Sequence, residues 1–549
     1  MNVAELVGHT LARLGVGHAF GVVGSGNFAV TAALRAAGVP YVAARHEGGA
    51  ATMADAFARM SGQVAVLSTH QGCGYTNALT GIAEAAKSRT PLLVLTADTA
   101  ASAVHSNFRV DQHALATAVG AVAERVHSPE SALADTVRAY RTAHQQRRTV
   151  VLNLPLDVQA QAAPVHDDAA LEPVPGPATV RPDPASTSAL AELIAAAERP
   201  VFVAGRGARA AAWPLRELAG RCGALLATSA VAHGLFHDDP WALGISGGFA
   251  TPLAVELISG ADLVVGWGCA LNMWTMRHGS LIGRGAKVAQ VDLDQSALGQ
   301  HRPVDLGVCG DVGQTATEVT ALLDAGTPKA GYRAPAVATR IAASGRWNQV
   351  EHADLGTPDR IDPRTLSRHL DELLPGERVV AVDSGNFMGY PSAYLSVPDE
   401  FGFCFTQAFQ SIGLGLASAI GAALARPDRL PVAALGDGGF QMSVAELDTA
   451  VRLRLPLVVV IYNDAGYGAE VHHFTEASEA DLATVRFPDT DLAAVGAGFG
   501  CTGLTVRTPD DLGGLTDWLA GPRDTPLVID AKLADDGGSW WLAEAFRGH

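Results

Sequence analysis

The 549-residue sequence predicts an α/β protein built from three doubly wound parallel-sheet units. Three observations carry that expectation. Short β-branched runs alternate with longer Ala- and Leu-rich segments along the chain, the pattern of parallel strands joined by crossover helices. Hydrophobic residues make up 48 % and charged ones 17 %, ample for several packed cores and too apolar for a disordered chain. Two non-periodic stretches rich in Pro, Ala and Asp, Ala160 to about Ser186 and about Asp324 to Asp359, cut the alternation into three. At ~150 residues per domain that division suits the length.

Taken in order, the first unit (1–165) opens with MNVAELVGHTLARLGVGHAF, an amphipathic helix followed by a strand. It lacks the basic start and apolar run of a signal peptide. Further strands are expected at 64–67, 91–98 and 149–155. The second unit (186–325) has strand-like runs at 200–205, 262–268 and 287–294, and the third (355–549) at 378–386, 431–439 and 455–464. The longest small-and-apolar stretch, Gly413 to Ala425, is too short to cross a bilayer. Six scattered cysteines show neither disulfide nor metal-ligand spacing and fit a reducing compartment. The net charge of −17 comes without basic clusters, which argues against nucleic acid and membrane surfaces as partners. A cytoplasmic location is expected.

The third unit holds the strongest chemical signal. Val432–Leu435 reads as a buried strand, Gly436-Asp437-Gly438-Gly439 as the turn leaving its carboxyl end, Phe440 to about Leu453 as a helix, and Leu457–Tyr462 as the next strand. In one right-handed βαβ unit both strands end on the same sheet edge, about 4.8 Å apart if adjacent. Asp437 and Asp464, 27 positions apart, can then face one another across a gap suited to a cation. The glycines let backbone approach an anion, and the helix aims its N-terminus there. Magnesium takes about six oxygens and commonly includes phosphate among them. Taken alone, GDG reads better as a plain strand-to-helix turn than as a site; the second acid shifts the reading toward a site.

This segment resembles the signature of thiamine diphosphate-dependent enzymes, in the acetolactate synthase and benzoylformate decarboxylase group, and the resemblance extends over nearly the whole chain. It implies a pyrimidine-binding, a central and a diphosphate-binding domain, with Asp437, Asp464 and the carbonyl of Gly466 as magnesium ligands. Gly436, Gly438, Gly439 and Tyr467 would line the cofactor turn. The family more often has Asn where Asp464 stands. RHEGGAATMADAFAR resembles the family's HExGAxxMADGYAR stretch, which implies that Glu47 activates the cofactor's aminopyrimidine. The family places this Glu on a different subunit from the GDG turn, implying a homodimer or homotetramer with active sites at subunit interfaces. Ile412 matches the bulky residue that bends the cofactor; Gln410 and the Asn386–Phe387 turn resemble further contacts, and PLDVQ (155–159) matches the end of the first domain.

Which reaction follows is carried by the polar residues expected over the reacting carbon: Ser25, His70, Gln112 and His113, with Gln71, His472 and His473 as further candidates. A His titrates near neutrality and suits proton delivery. Benzoylformate decarboxylase resembles this chain in having Ser and His where Ser25 and His70 stand. The overall pattern is closer to acetolactate synthase, so the expected function is a carboligase that decarboxylates a 2-oxo acid to an enamine and passes it to a second carbonyl compound. Release of an aldehyde is the alternative. The middle unit has CALNMWTMRHG where flavin-binding relatives carry RFDDRV, so FAD is not expected. GRGARA (205–210) matches a GxGxxA nucleotide loop, the basis of a rival oxidoreductase reading; a non-catalytic paralogue is a third. The C-terminal GGSWWLAEAFRGH suggests a lid or a subunit contact.

Overall fold

A computed structural model of the chain describes residues 1–164, 174–323, 328–474 and 476–542. Three six-stranded sheets form, and every neighbouring pair within them is parallel. The first contains β1 (His18–Gly21), β2 (Tyr41–Ala43), β3 (Ala65–Thr69), β4 (Leu92–Asp98), β5 (Val122–Arg125) and β6 (Thr149–Pro155), in the order β2-β1-β3-β4-β6-β5. The second contains β7 (Pro200–Ala204), β8 (Leu225–Thr228), β9 (Ala242–Ile245), β10 (Leu263–Trp267), β11 (Lys287–Asp292) and β12 (Leu306–Cys309), ordered β12-β11-β10-β7-β8-β9. The third contains β13 (Arg378–Val382), β14 (Phe403–Phe405), β15 (Leu430–Gly436), β16 (Val458–Asn463), β17 (Thr502–Val506) and β18 (Leu527–Lys532), ordered β14-β13-β15-β16-β18-β17. The first and third sheets therefore share one topology. In both, the direction of winding reverses between the first strand and the third, and ligands of open α/β sheets gather at the carboxyl ends of such strands.

Those central strands are buried on both faces, which explains why β3, β13 and β16 carry consecutive apolar residues instead of an apolar–polar alternation. The linker falls partly on 165–173, the second non-periodic stretch partly on 324–327, and the C-terminal segment partly on 543–549, all outside the described residues. Among the described residues no helix is long and apolar enough to cross a membrane. The GDG helix differs from expectation. It starts at Asp437, ends at Ser443, and a separate helix runs over Glu446–Arg452. The break lets Glu446 accept the backbone N–H groups of Arg45 (3.2 Å) and His46 (3.0 Å), a partner 400 positions away that local periodicity cannot foresee.

First and third units meet along two helices, Glu47–Ser61 and Gly415–Ala425, in one continuous core. The contact is made of small residues: Ala54, Ala56, Ala58, Ala417, Ala419 and Ala422 are all buried. A side chain at Gly421 would place its Cβ 2.2 Å from the Met53 carbonyl oxygen and 3.0 Å from the Ala56 Cβ. Gly421→Leu is expected to push the helices apart and cost about 3 kcal/mol, the upper end for overpacking, read by denaturant unfolding. Unchanged stability would show that the two helices do not touch.

The junction of the second and third units is aromatic. Trp347 lies 4.4 Å from Trp540, and Trp541 lies 6.1 Å from Phe249 and 6.3 Å from Trp274. His233 is half-buried there, its Nε2 3.4 Å from the Leu395 carbonyl and its ring edge-on to Phe403. Burial lowers its pKa from 6.5 to about 4, the Leu395 carbonyl opposing. A folded-state pKa below the unfolded one means the unfolded chain binds the extra proton between these values. Stability is thus present above pH 6.5 and declines as pH falls toward 4, by up to about 3 kcal/mol. His233→Gln is expected to flatten that limb of the stability–pH curve; an unaltered limb would place the acid sensitivity elsewhere.

Candidate active site

Next to the β13/β15 switch point of the third sheet, β15 ends in Gly436 with Asp437 opening the next helix, and β16 ends one residue before Asp464. Gly436 is in register with Tyr462, so the two acids leave one edge side by side. The two carboxyls interact directly, and both pKa values are raised, by burial first and, for Asp464, then by the Asp437 charge. Asp437 Oδ1 is buried without a hydrogen-bond partner. Two desolvated acids with an orphaned oxygen fit a divalent cation, which would relieve the repulsion and use the free lone pairs. Among the described residues no three His, Cys, Asp or Glu side chains converge on a metal position, so further ligands would come from backbone and from a bound anion.

The glycines of the turn answer to crowding. A Cβ on Gly439 would lie 2.2 Å from Asp383 Oδ2, and one on Gly438 would lie 2.6 Å from the Tyr467 ring. Gly466 follows in a turn where Ala465 takes a φ of +58° and Gly466 bridges Arg486. Asn386, buried in the turn after β13, stands beside Asp464 and favours its ionised form, and its Oδ1 accepts from Ser539 N. Phe387 stacks on Tyr462 at 5.3 Å and faces Gly436.

Sequence reasoning passed over Asp383. Fully buried at the end of β13, it accepts the N–H groups of Ser384 (2.9 Å), Gly413 (2.9 Å) and Leu414 (3.2 Å), and burial raises its pKa to about 6 against those hydrogen bonds. One carboxyl thus ties β13 to the turn bearing half-buried Ile412 and exposed Gln410, whose φ is +59°. Glu84 of the first unit holds the same loop, accepting from Ala408 N (3.1 Å) and Phe409 N (2.6 Å), and is itself paired with buried Arg59.

The second cluster lies at the corresponding edge of the first sheet. Glu47 opens its helix after His46, whose Nδ1 accepts from Gly48 N. Its carboxyl accepts from Asn77 Nδ2 at 3.0 Å and, among the described residues, bonds no side chain of the third unit. His70, leaving β3, has Nδ1 2.9 Å from the Gln71 carbonyl and Nε2 3.4 Å from Ser25 Oγ. A carbonyl only accepts, so Nδ1 carries the hydrogen and the neutral ring offers its Nε2 lone pair toward Ser25. Phe108 packs against the ring at 4.9 Å. Gly24 permits this approach, since a Cβ there would lie 2.5 Å from the imidazole. Buried Asn27, another residue the sequence did not single out, bonds Gly24 N and Ser68 Oγ, and Gln159 of the PLDVQ stretch bonds the Gly26 carbonyl.

Other candidates are placed differently. Gln112 is buried with its amide spent: Oε1 accepts from Gly72 N, while Nε2 donates to Ala97 O and Asn153 Oδ1. It supports the loop after His70 instead of facing a substrate. Adjacent His113 is exposed. Gln71 is buried against Gly26. His472 packs on Gly538, and His473 stands edge-on to Phe474. Trp540 and Trp541 are no free lid: their indole N–H groups donate to Gly248 O and Asn386 O of the same chain, and Ser539 N donates to Asn386 Oδ1. The GRGARA loop is closed. Gly205 N and Gly207 N donate to Trp267 O and Gly268 O, and a Cβ on either glycine would strike Gly268. These glycines serve the contact of two loops, which removes the geometric support for a pyrophosphate cradle.

Fold and site define an α/β protein of three parallel-sheet units, with an acid pair at the carboxyl edge of the third sheet and the Glu47 carboxylate at the carboxyl edge of the first. Family models match the chain as a thiamine pyrophosphate enzyme in three parts: the N-terminal TPP binding domain over residues 1–122, the central domain over 187–319 and the C-terminal TPP binding domain over 383–531. The chain belongs to the thiamine pyrophosphate enzyme family. It is 30 % identical to a sulfoacetaldehyde acetyltransferase of Rhodobacter capsulatus, covering 100 % of this chain and 96 % of that protein. A probable 2-ketoarginine decarboxylase of Pseudomonas aeruginosa is 31 % identical over 93 % of this chain and 90 % of its own length. An acetolactate synthase of Mycobacterium bovis is 25 % identical, over 99 % and 90 %.

Proposed function

We propose that the protein is a magnesium- and thiamine-diphosphate-dependent carboligase that takes an acyl unit from a 2-oxo acid to a second carbonyl compound. The observation that carries the reading is the buried Asp437–Asp464 pair with its orphaned oxygen. Bound thiamine diphosphate supplies a carbon nucleophile that adds to the 2-oxo acid carbonyl and lets carbon dioxide leave. Asp437, Asp464 and the Gly466 carbonyl would hold the ion, and Asn386 and Phe387 the diphosphate side. Ile412 and Gln410, braced by Asp383 and Glu84, would shape the cofactor. Glu47 would hold a proton-bearing hydrogen bond to the aminopyrimidine, a carboxylate doing pKa tuning. Flavin is not part of the proposal, and the closed GRGARA loop supports leaving it out.

Because Glu47 bonds Asn77 of its own unit, a second copy is proposed to bring the acid pair to it. Exposed Phe28 and Phe108 around one half-site and Phe409 and Met442 around the other suit burial between copies. A second reading, decarboxylation to a free aldehyde, is favoured by one feature: the Ser25 hydroxyl and His70 Nε2 stand 3.4 Å apart, and His70 once protonated at Nε2 would carry a proton for the site. The Rhodobacter relative named as an acetyltransferase supports acyl transfer and the Pseudomonas relative supports decarboxylation. Pyruvate and an aromatic 2-oxo acid, each with an aldehyde acceptor, separate the two. A hydroxy-ketone is the expected product, and free aldehyde alone would reject carboligation.

A further inference from the structure

Away from the acids, a pocket of about 470 Å3 opens where the second and third units meet. Its walls come from β8 and β9 (Leu226, Leu243), the connecting helix Pro335–Ser344 and its following turn (Ile341, Trp347), and the third unit's Tyr394 and Leu395. None of Glu47, His70, Asp437 or Asp464 lines it. Protein interiors rarely leave voids much larger than a water, whereas small-molecule sites run from about 300 to 1,000 Å3.

The polar groups on its walls are mostly committed. Asp371 accepts from Asn348 Nδ2 (2.6 Å) and Ser396 Oγ (2.7 Å) and pairs with Arg378. Asp239 accepts from Trp241 N, the Thr251 hydroxyl caps Ala254 N, and the Ser392 hydroxyl donates to Met388 O. His233 is kept neutral by burial against Leu395 O. His237 lies 3.6 Å from Asp238. Two neutral acceptors are not committed: among the described residues, Thr228 Oγ1 and Asn348 Oδ1 are buried without a hydrogen-bond partner. Among the charged side chains Arg346 is the exception. It lines the pocket, its main-chain N–H is taken by Gln349, and among the described residues no carboxylate comes within ion-pair distance of its guanidinium.

We propose that this pocket is a second ligand site for an apolar monocarboxylate, an acid with an aliphatic or aromatic body whose carboxylate pairs with Arg346. An apolar wall with one uncompensated, fork-shaped cation complements that chemistry and penalises a neutral analogue. Trp347 in the wall supplies the reporter.

The test is a calorimetric titration of the full-length protein with octanoate, which has no 2-oxo group to turn over, followed in parallel by tryptophan emission. Octanoate is expected to bind saturably with an emission change that Trp347→Phe removes, and octanamide to bind at least about tenfold more weakly. Arg346→Gln, on an exposed side chain, is expected to weaken octanoate at least about tenfold while leaving the thermal transition in place. Ala342→Phe, which fills the pocket, should abolish binding. Equal affinity for octanamide, affinity untouched by Arg346→Gln, or no saturable binding at millimolar octanoate would each overturn the proposal.

Discussion

Glu47→Gln is expected to lower kcat for carbon dioxide release by about 10²–10⁴-fold, the range for a positioned acid–base group. The substitution keeps the size of the side chain, its place in the first helical turn and an oxygen to accept from Asn77 Nδ2. What it removes is a charged carboxylate able to favour the imino form of a bound aminopyrimidine. Thermal stability without cofactor should hardly move, since among the described residues the Glu47 carboxyl makes one side-chain hydrogen bond, to Asn77, which Gln can keep. Affinity for the metallated cofactor should also survive, because the acid pair is untouched. Unchanged turnover would sink the mechanism.

Asp437→Asn is expected to act in the opposite order. The proposed cation would lose one of two anionic ligands, so binding of magnesium and thiamine diphosphate should weaken by more than about 100-fold, beyond the loss usual for a supporting residue. The protein without metal should at the same time become more stable, because two buried acids side by side are mutually destabilising until a cation joins them. Calorimetry with the metallated cofactor and thermal melts in chelator give the two readouts. Tight binding retained by the variant would show that the ion, if bound, sits elsewhere.

How far these features were legible follows from the range of the interactions that make them. The pair Asp437 and Asp464 could be read from spacing because both leave adjacent strands whose apolar runs mark them plainly. Strands of three or four residues at sheet margins, such as β9, β12 and β14, carry no period and escaped notice. β18 is a different miss: its six residues are buried, and a Lys and an Asp within them disguised it. Glu47 and Ile412 were identified only through resemblance, since a first-turn glutamate and a core isoleucine are commonplace. Asp383, Glu84 and Glu446 were invisible in the sequence. Their partners lie 30, 325 and 401 positions away, and nothing local records such pairing. Gln112 was named for its chemistry, yet its amide belongs to the scaffold, a distinction only the satisfied donors and acceptor reveal.

All eight tryptophans fall between Trp213 and Trp541, four of them in the aromatic junction, and the stretch before Ser186 has none. Indole emission is therefore blind to the sheet that carries Glu47 and His70. A fluorescence-detected melt would track only the other two sheets, while circular dichroism would register all three. Any gap between the two curves would be a direct readout of how independently the N-terminal unit comes undone.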